Sequence, residues 1–148
     1  MVNSEKNEKP SGKRTLIMTL VAAVGTAVVN NLYWVIYTSV TGVSIPQIIN
    51  FASVTTFSVA PVLLGGIIYW VVARFNTRVA NIGLLVGTIA LFIAFSIPSF
   101  GDTIMTPAGG TIPAPDGFAG LSFGLHFAGP ILLLSLVPAW RGRILERK

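Results

Sequence analysis

The stretch GLSFGLHFAGPILLL, residues 120–134, decides the fold, because it is apolar enough for the interior of a membrane yet contains the single histidine of the chain, His126. It belongs to an apolar run over residues 118–140 that holds no Asp, Glu, Lys or Arg. A helix needs about 20 such residues to cross the hydrocarbon core of a bilayer. The run therefore predicts a membrane-spanning helix with one ionisable side chain inside it.

Three further apolar runs precede it, over residues 15–40, 51–73 and 79–100, and none contains a charged residue. Charged residues make up 10% of the chain, hydrophobic residues make up 53%, and the mean hydropathy is +0.76. A soluble domain has about 25% charged residues. The strands of a membrane β-barrel are shorter and alternate in polarity, which these runs do not. We therefore predict an all-α integral membrane protein, a bundle of four transmembrane helices.

The ten Lys and Arg residues all lie outside the four runs, on one predicted side of the membrane. They occur in an N-terminal tail (1–14), a short connection (74–78) and a C-terminal tail (141–148), whereas the connections over 41–50 and 101–117 carry none. Because basic segments stay in the cytoplasm, we predict a multi-pass protein of the bacterial cytoplasmic membrane with both termini cytoplasmic. The formal charge of +5 then reflects topology and attraction to anionic lipids, and not binding to nucleic acid.

The beginning of the chain also has features of a secretory signal peptide, since a basic segment precedes an apolar one in KRTLIMTLVAAVGTA, residues 13–27. The apolar segment continues to Val40, however, well beyond the roughly 7 to 15 apolar residues of a signal peptide. We therefore expect the first span to be retained.

The connection over residues 101–117 contains the turn sequences PAGG and PAPDG. Pro, Gly and Asp in such arrangements are typical of turns, so we predict a flexible connector. Asp116 stands just before the fourth run, where a side-chain oxygen accepts hydrogen bonds from the first amides of a helix. We expect Asp116 to be the N-cap of the fourth span.

Small residues four positions apart mark surfaces at which membrane helices approach closely. Gly83 and Gly87 form such a pair in the third span, and Gly120, Gly124 and Ala128 extend the pattern in the fourth. We predict that they pack within one bundle, and a seam between two copies of the chain is the alternative. If the polar face of the fourth span points inward, its glycine face is free for such a partner.

Asn30 in the first span and His126 in the fourth lie at the same predicted depth. At 1.5 Å per residue they fall about 13 Å and about 12 Å below the outer boundary of the membrane. Other amide and hydroxyl side chains also occur in the outer halves of the spans, whereas the inner halves are mostly aliphatic. We therefore predict a polar pocket in the outer half of the bundle, lined by His126, Asn30, Asn31, Thr56, Ser58, Ser96 and Ser122.

Pro61, Pro98 and Pro130 lie inside predicted spans, where a proline removes the hydrogen bond to the carbonyl four residues before it. We expect a helix kink at each of them. The carbonyl freed by Pro130 is that of His126, and an unpaired carbonyl in hydrocarbon is costly. Asn30 and Asn31 carry amide groups that are suited to donate to it.

The imidazole of His126 has one structural interpretation and two functional ones. As a neutral ring hydrogen-bonded to Asn30 or to a serine, it would hold the bundle together. An ionisable residue inside a span also marks a candidate ligand or solute site. Alternatively, the ring would supply one axial ligand to haem or chlorophyll.

The sequence lacks the residues and motifs that common classes of enzyme need for catalysis. The chain has no cysteine, which excludes thiolate, disulfide and cysteine-zinc chemistry. Asp102 and Asp116 share one connection, and the chain has no zinc-protease, serine-hydrolase or P-loop motif. No Asp or Glu lies within a span, which argues against proton-coupled export. We expect no catalytic residue, no metal site and no required cofactor.

The order of these features resembles an uncharacterised bacterial family of four-span proteins, domain of unknown function 6069. The similarity rests on AVVNNLYW (27–34), FSIPSF (95–100) and LHFAGPILLL (125–134). It extends to Asn30 or Asn31, to Ser96 and to His126, and it does not extend to the glycine-rich connection. The resemblance implies the four-span topology, and the family has no established activity.

These features favour a non-enzymatic interaction or accessory subunit whose polar pocket binds a lipid, a quinone or another small molecule. A transporter or channel for small solutes, built from several copies, is the alternative. A haem- or chlorophyll-binding subunit that uses His126 is a second. The expected partners are membrane lipids, further copies of the chain or a larger membrane complex.

Overall fold

The computed structural model describes residues 11–138, and within them the protein is all-α, with four helical segments long and apolar enough to cross a membrane. The prediction of four such segments is confirmed. The predicted tails lie outside the described residues, apart from residues 11–14. The helices are α1 (Gly12–Thr41), α2 (Phe51–Phe75), α3 (Thr77–Ser96), α4 (Phe118–Leu125) and α5 (Ala128–Leu136), and the last two together make the fourth span.

Consecutive spans run antiparallel, as their cross-helix contacts show. Asn30 of α1 contacts Ser58 of α2, and Thr19 near the start of α1 contacts Gly66 further along α2. We call one end of the bundle the arginine end, because it carries the basic residues Lys13, Arg14, Arg74 and Arg78. The opposite end is called the hairpin end, after the β-hairpin described below.

Close approach of α1 and α2 is possible because small residues face each other. A Cβ atom on Gly66 would overlap the side chain of Thr19. Around this contact, Ala22, Val62 and Leu133 belong to one buried core. Tyr69 of the same core is 1% exposed, and its hydroxyl donates to Asn81 Oδ1 of α3 at 3.0 Å. α3 is therefore tied to α2 near the arginine end.

The ends of the helices follow from local sequence. α1 ends at Gly42, whose φ of 74° is the left-handed conformation that glycine adopts without strain. α2 begins with a capping box, in which Asn50 Oδ1 accepts from the Ser53 amide at 3.0 Å and Ser53 Oγ accepts from the Asn50 amide at 2.9 Å. Asn76 alone separates α2 from α3, and its side chain accepts from the Val79 amide at 3.1 Å.

The three prolines of the spans lie in three different backbone settings. The fourth span is interrupted between Leu125 and Ala128, where Pro130 predicts a kink. Pro61 lies inside α2, which continues as one helix from Phe51 to Phe75. Pro98 does not interrupt α3, because it lies in the first turn of a 3-10 helix (Ile97–Phe100), where a missing amide hydrogen costs no helical bond.

The connection over residues 101–117 contains an ordered hairpin and not only turns. β1 (Thr103–Met105) pairs antiparallel with β2 (Thr111–Pro113), with Ile104 opposite Ile112. Ile104 packs with Ile45 and Phe118 in a small second core, which anchors the hairpin to the bundle. The prediction of a flexible connector is therefore wrong.

The predicted cap of the fourth span is also wrong. The N-cap of α4 is Gly117, with a φ of 84° and no side-chain hydrogen bond, so Asp116 does not cap the helix. Glycine adopts this positive φ without the clash of a Cβ atom. The chain turns at Gly117 under Tyr37, whose hydroxyl donates to the Gly117 carbonyl at 2.8 Å.

Candidate functional site

Asn30 ties three spans together. Its side chain is 4% exposed, and its Nδ2 atom donates at 2.8 Å to Ser58 Oγ of α2 and at 2.8 Å to the carbonyl of Leu125. Leu125 is the last residue of α4, so the amide reaches the fourth span where its helix is interrupted. One buried side chain of α1 therefore fixes both α2 and the interruption.

The interruption is a tight turn of the backbone. The amides of His126 and Phe127 donate to the carbonyls three residues before them, at 3.1 Å and 3.2 Å. Such bonds are typical of a 3-10 turn and change the direction of neighbouring carbonyls relative to an α-helix. We expected Asn30 or Asn31 to pair with the carbonyl of His126, and the carbonyl that Asn30 meets is that of Leu125.

The imidazole of His126 does not make the expected hydrogen bond to Asn30 or to a serine. Its Nδ1 atom is buried and has no hydrogen-bond partner among residues 11–138. The ring lies against Phe95 of α3, with the centroids 6.2 Å apart and the planes at 33°. The ring thus contacts α3, and Asn30 meets only the backbone of the neighbouring residue.

Two buried serines at the end of the third span differ in their hydrogen bonding. Ser99 and Ser122 share a hydrogen bond of 2.7 Å between their hydroxyls. Ser96, one turn before Ser99, is 4% exposed, and its hydroxyl has no partner within the described part of the chain. Ser122 is therefore used as a helix contact, whereas Ser96 keeps an unused buried hydroxyl.

Asn31 points to a different surface of α1 from Asn30. Its Nδ2 atom donates to Thr55 Oγ1 of α2 at 3.0 Å and to the Ala27 carbonyl of its own helix at 2.8 Å. Thr56, which we expected in the pocket, is exposed on the bundle surface. Consecutive helical residues lie about 100° apart, at 3.6 residues per turn. Thr55 faces α1, and Thr56 points to the surface of the bundle.

Four buried polar atoms have no partner among the described residues: Asn30 Oδ1, Asn31 Oδ1, Ser96 Oγ and His126 Nδ1. Asn31 points to a different surface of α1, and the other three lie at one level of the bundle near the interruption. We call Asn30, Ser96 and His126 the polar layer. Asn30 contacts Leu125, next to His126, and His126 contacts Phe95, next to Ser96. A buried polar atom without a partner costs about 1 to 3 kcal/mol, so three at one level are an unusual concentration of unmet hydrogen bonding.

The polar layer has mixed hydrogen-bonding capacity. The amide oxygen of Asn30 only accepts, the Ser96 hydroxyl donates or accepts, and a neutral imidazole nitrogen does either according to its tautomer. Within residues 11–138, no cluster of three or more His, Cys, Asp or Glu residues is placed to hold a metal ion. The arrangement is suited to a neutral group that carries both hydrogen-bond donors and acceptors.

The glycines of the fourth span contact α1. A Cβ atom on Gly120 would overlap the ring of Tyr37, and one on Gly124 would overlap the ring of Tyr33. The Tyr33 hydroxyl also donates to the Gly120 carbonyl at 2.8 Å. The glycine face of the fourth span therefore packs against α1 within the bundle and is not free for a partner, which was the alternative; Ala128 is buried as well.

Sequence reasoning missed this role of the tyrosines. The signal that points to them is their spacing of four residues, which places Tyr33 and Tyr37 on one face of α1.

The two glycines of the third span, Gly83 and Gly87, have different surroundings from the glycines of the fourth span. A Cβ atom on Gly83 or Gly87 would meet no atom of the described chain within 4 Å. Packing of these two glycines within the bundle is thus not seen, and a seam between copies stays a prediction.

An apolar groove runs between α3 and α5, beginning one helical turn from the polar layer towards the arginine end. Its volume is about 120 Å³, and it is open on one side. The rings of Phe92 and Phe127 contact each other across it, with centroids 5.0 Å apart. Its walls are formed by Thr88, Phe92, Phe127, Pro130, Ile131 and Leu134.

Comparison of the chain with protein-family models, with curated proteins and with solved structures gives no significant match. The resemblance to domain of unknown function 6069 therefore stays a prediction.

Proposed function

We propose that this is a non-enzymatic accessory protein of the bacterial cytoplasmic membrane that binds a small neutral molecule at the polar layer. The chain contributes four apolar helices and a short hairpin, and no further folded unit is described within residues 11–138. Binding inside the bundle, together with contacts to a larger membrane complex, is the role that such a scaffold suits best.

The observation that carries the proposal is the group of three unpartnered buried atoms beside the interrupted helix. Ionisable and polar groups within a span are expensive, and they are kept where they pair with one another or with a ligand. Asn30 and Ser96 are each 4% exposed. A neutral molecule with oxygen atoms at this level would satisfy Asn30, Ser96 and His126 together.

The proposed orientation places the hairpin end outside the cell and the arginine end in the cytoplasm. It is supported by Lys13, Arg14, Arg74 and Arg78, which all belong to the arginine end, and by the positive-inside rule. In this orientation the polar layer lies in the outer half of the membrane, at the depth that the sequence predicts.

The test is purification in a mild detergent, with an affinity tag that contains no histidine, followed by mass spectrometry of the retained small molecules. We expect the wild-type protein to retain one neutral compound in near-equimolar amount. His126→Phe and Ser96→Ala should lose it. Thr19→Ala, which removes a buried hydroxyl bonded within its own helix at 2.8 Å, is the control and should keep it.

Retention of only bulk membrane lipids, in the proportions of the source membrane and unchanged by the variants, would overturn the proposal.

A further inference from the structure

Two members of the polar layer, Ser96 and His126, belong to the same two spans, the third and the fourth, as the apolar groove. On α3, Phe92 and Thr88 follow Ser96 at intervals of four residues towards the arginine end, and both line the groove. On the fourth span, Pro130 and Leu134 of α5 line the opposite wall, and α5 begins just beyond His126, after the interruption. Residues four apart on a helix share a face, so along α3 the polar Ser96 leads directly into the apolar wall of the groove.

The groove has the size and chemistry of a site for a hydrocarbon chain. Its volume is about 120 Å³, and an apolar cavity of roughly 150 Å³ in another protein stays dry and binds benzene. Its walls are formed by aromatic, aliphatic and proline side chains and by Thr88. Because the groove is open on one side, a longer chain can continue from it into the surrounding lipid.

The head group that meets the polar layer must be uncharged. Residues 79–100 and 118–138, which form the third and fourth spans, contain no Asp, Glu, Lys or Arg. The described basic side chains all lie at the arginine end, so a phosphate at the polar layer would have no cationic partner. A buried charge without a partner is strongly unfavourable. Carbonyl or hydroxyl oxygens are instead matched by Asn30, Ser96 and His126.

We infer that the site binds a neutral long-chain amphiphile of the quinone or quinol class, with its ring oxygens at the polar layer and its tail in the groove between α3 and α5. The inference rests on the proposed function, which it makes specific. It concerns binding alone and invokes no electron transfer. Its distinguishing feature is that head and tail meet separate parts of the same two spans.

The experiment is isothermal titration of the purified full chain with two quinones that share a head group. One is decylubiquinone, and the other is the same ring without the tail. We expect decylubiquinone to bind at least tenfold more tightly than the tailless ring, because only its tail fills the groove. Phosphatidylglycerol, which has tails but a charged head, should not displace it.

Variants separate the contribution of the tail from that of the head. Leu134→Trp fills the groove and should weaken decylubiquinone at least tenfold while leaving the tailless ring unchanged. His126→Phe should weaken both. Ile82→Trp, on an open surface of α3 where Ile82 is 53% exposed, is the matched control and should change neither. Thr88→Leu fills the groove from the opposite wall and replaces Leu134→Trp if that variant does not fold.

The outcomes distinguish the two proposals. Equal affinity for the tailed and tailless quinones, or no effect of either groove variant, overturns the assignment of the groove and leaves the polar layer as a binding site. A retained compound that is not a quinone, with no binding of decylubiquinone, also overturns it. If the wild-type chain binds neither quinone and retains no neutral compound, both proposals fail.

Discussion

Asn30→Ala is the substitution that should most strongly destabilise the bundle. Asn30 donates two hydrogen bonds of 2.8 Å, to Ser58 of α2 and to the carbonyl of Leu125. Alanine removes both and leaves a carbonyl at the interruption of the fourth span without a protein donor. The substitution therefore acts on two interfaces of α1 at once.

The expected loss is about 2 to 3 kcal/mol. Side-chain hydrogen bonds between membrane helices contribute about 0.6 kcal/mol on average and up to about 1.7, so the two bonds together account for roughly 1 to 3 kcal/mol. A buried carbonyl left unpaired places the loss in the upper part of that range. Asn31→Ala, which removes one contact to Thr55 and one within α1, should cost about 0.5 to 1 kcal/mol.

The assay is unfolding by sodium dodecyl sulfate in mixed micelles, followed by circular dichroism, for Asn30→Ala, Ser58→Ala and the double variant. The cycle should give a coupling energy of about 0.6 to 1.7 kcal/mol between the two residues. The loss that remains for Asn30→Ala in the Ser58→Ala background then measures the contact to Leu125. A loss below about 0.5 kcal/mol for Asn30→Ala, or one no larger than that for Asn31→Ala, would refute the reasoning.

Three further predictions follow from the packing, the caps and the topology. Gly124→Ala should destabilise the protein by about 1 to 3 kcal/mol in the same assay, because the new methyl group overlaps Tyr33; Gly83→Ala, whose methyl group meets no described atom within 4 Å, should be neutral or stabilise by up to about 1 kcal/mol. Equal effects would show that the two glycines have the same surroundings. Asn50→Ala removes the capping box of α2 and should cost about 0.5 to 2 kcal/mol, whereas an unchanged unfolding midpoint would mean that the cap contributes nothing to stability. Because the chain has no cysteine, Ala108→Cys and Ser11→Cys report topology: an impermeant maleimide should label Ala108→Cys in intact cells and Ser11→Cys only after permeabilisation, and the reverse pattern would contradict the proposed orientation.

The spans and the interruption of the fourth helix were predictable from the sequence. Length and lack of charge suffice to predict four helices that are long and apolar enough to cross a membrane, because about 20 apolar residues match the thickness of the hydrocarbon core. Pro130 marks the interruption because it lacks the amide that would bond to the His126 carbonyl. Both predictions depend only on the sequence of the helix itself and not on the helices that pack against it.

Most of the side-chain partners were not predictable, because depth along a helix says nothing about direction around it. The rise per residue places Asn30 and His126 at the same level, and the structure confirms that Asn30 meets the fourth span there, at Leu125. The rise per residue gives the depth of Asn30, but it does not predict which atom of the fourth span accepts its hydrogen bond. For the same reason Thr55, and not Thr56, faces Asn31.

The hairpin was missed for a different reason. Its strands, Thr103–Met105 and Thr111–Pro113, are three residues each, too short for an alternating pattern to stand out. What holds them is contact with distant residues, since Ile104 packs against Ile45 and Phe118. The sequence of the connection alone shows only turn-forming residues and does not predict this contact with distant parts of the chain.

The central claim, that the polar layer binds a small molecule, is tested most directly by nitrogen-15 magnetic resonance on the imidazole of His126. The chain has a single histidine, so protein labelled at histidine gives one pair of ring signals without assignment. The protein would be stripped of lipid, placed in phosphatidylcholine nanodiscs, and then supplied with a neutral lipid extract of its own membrane. If the polar layer binds a neutral molecule, the ring signals should move with the extract and not with added phosphatidylcholine, and Ser96→Ala should reduce the change. Ring signals that are the same in stripped, phosphatidylcholine and extract samples would contradict the claim.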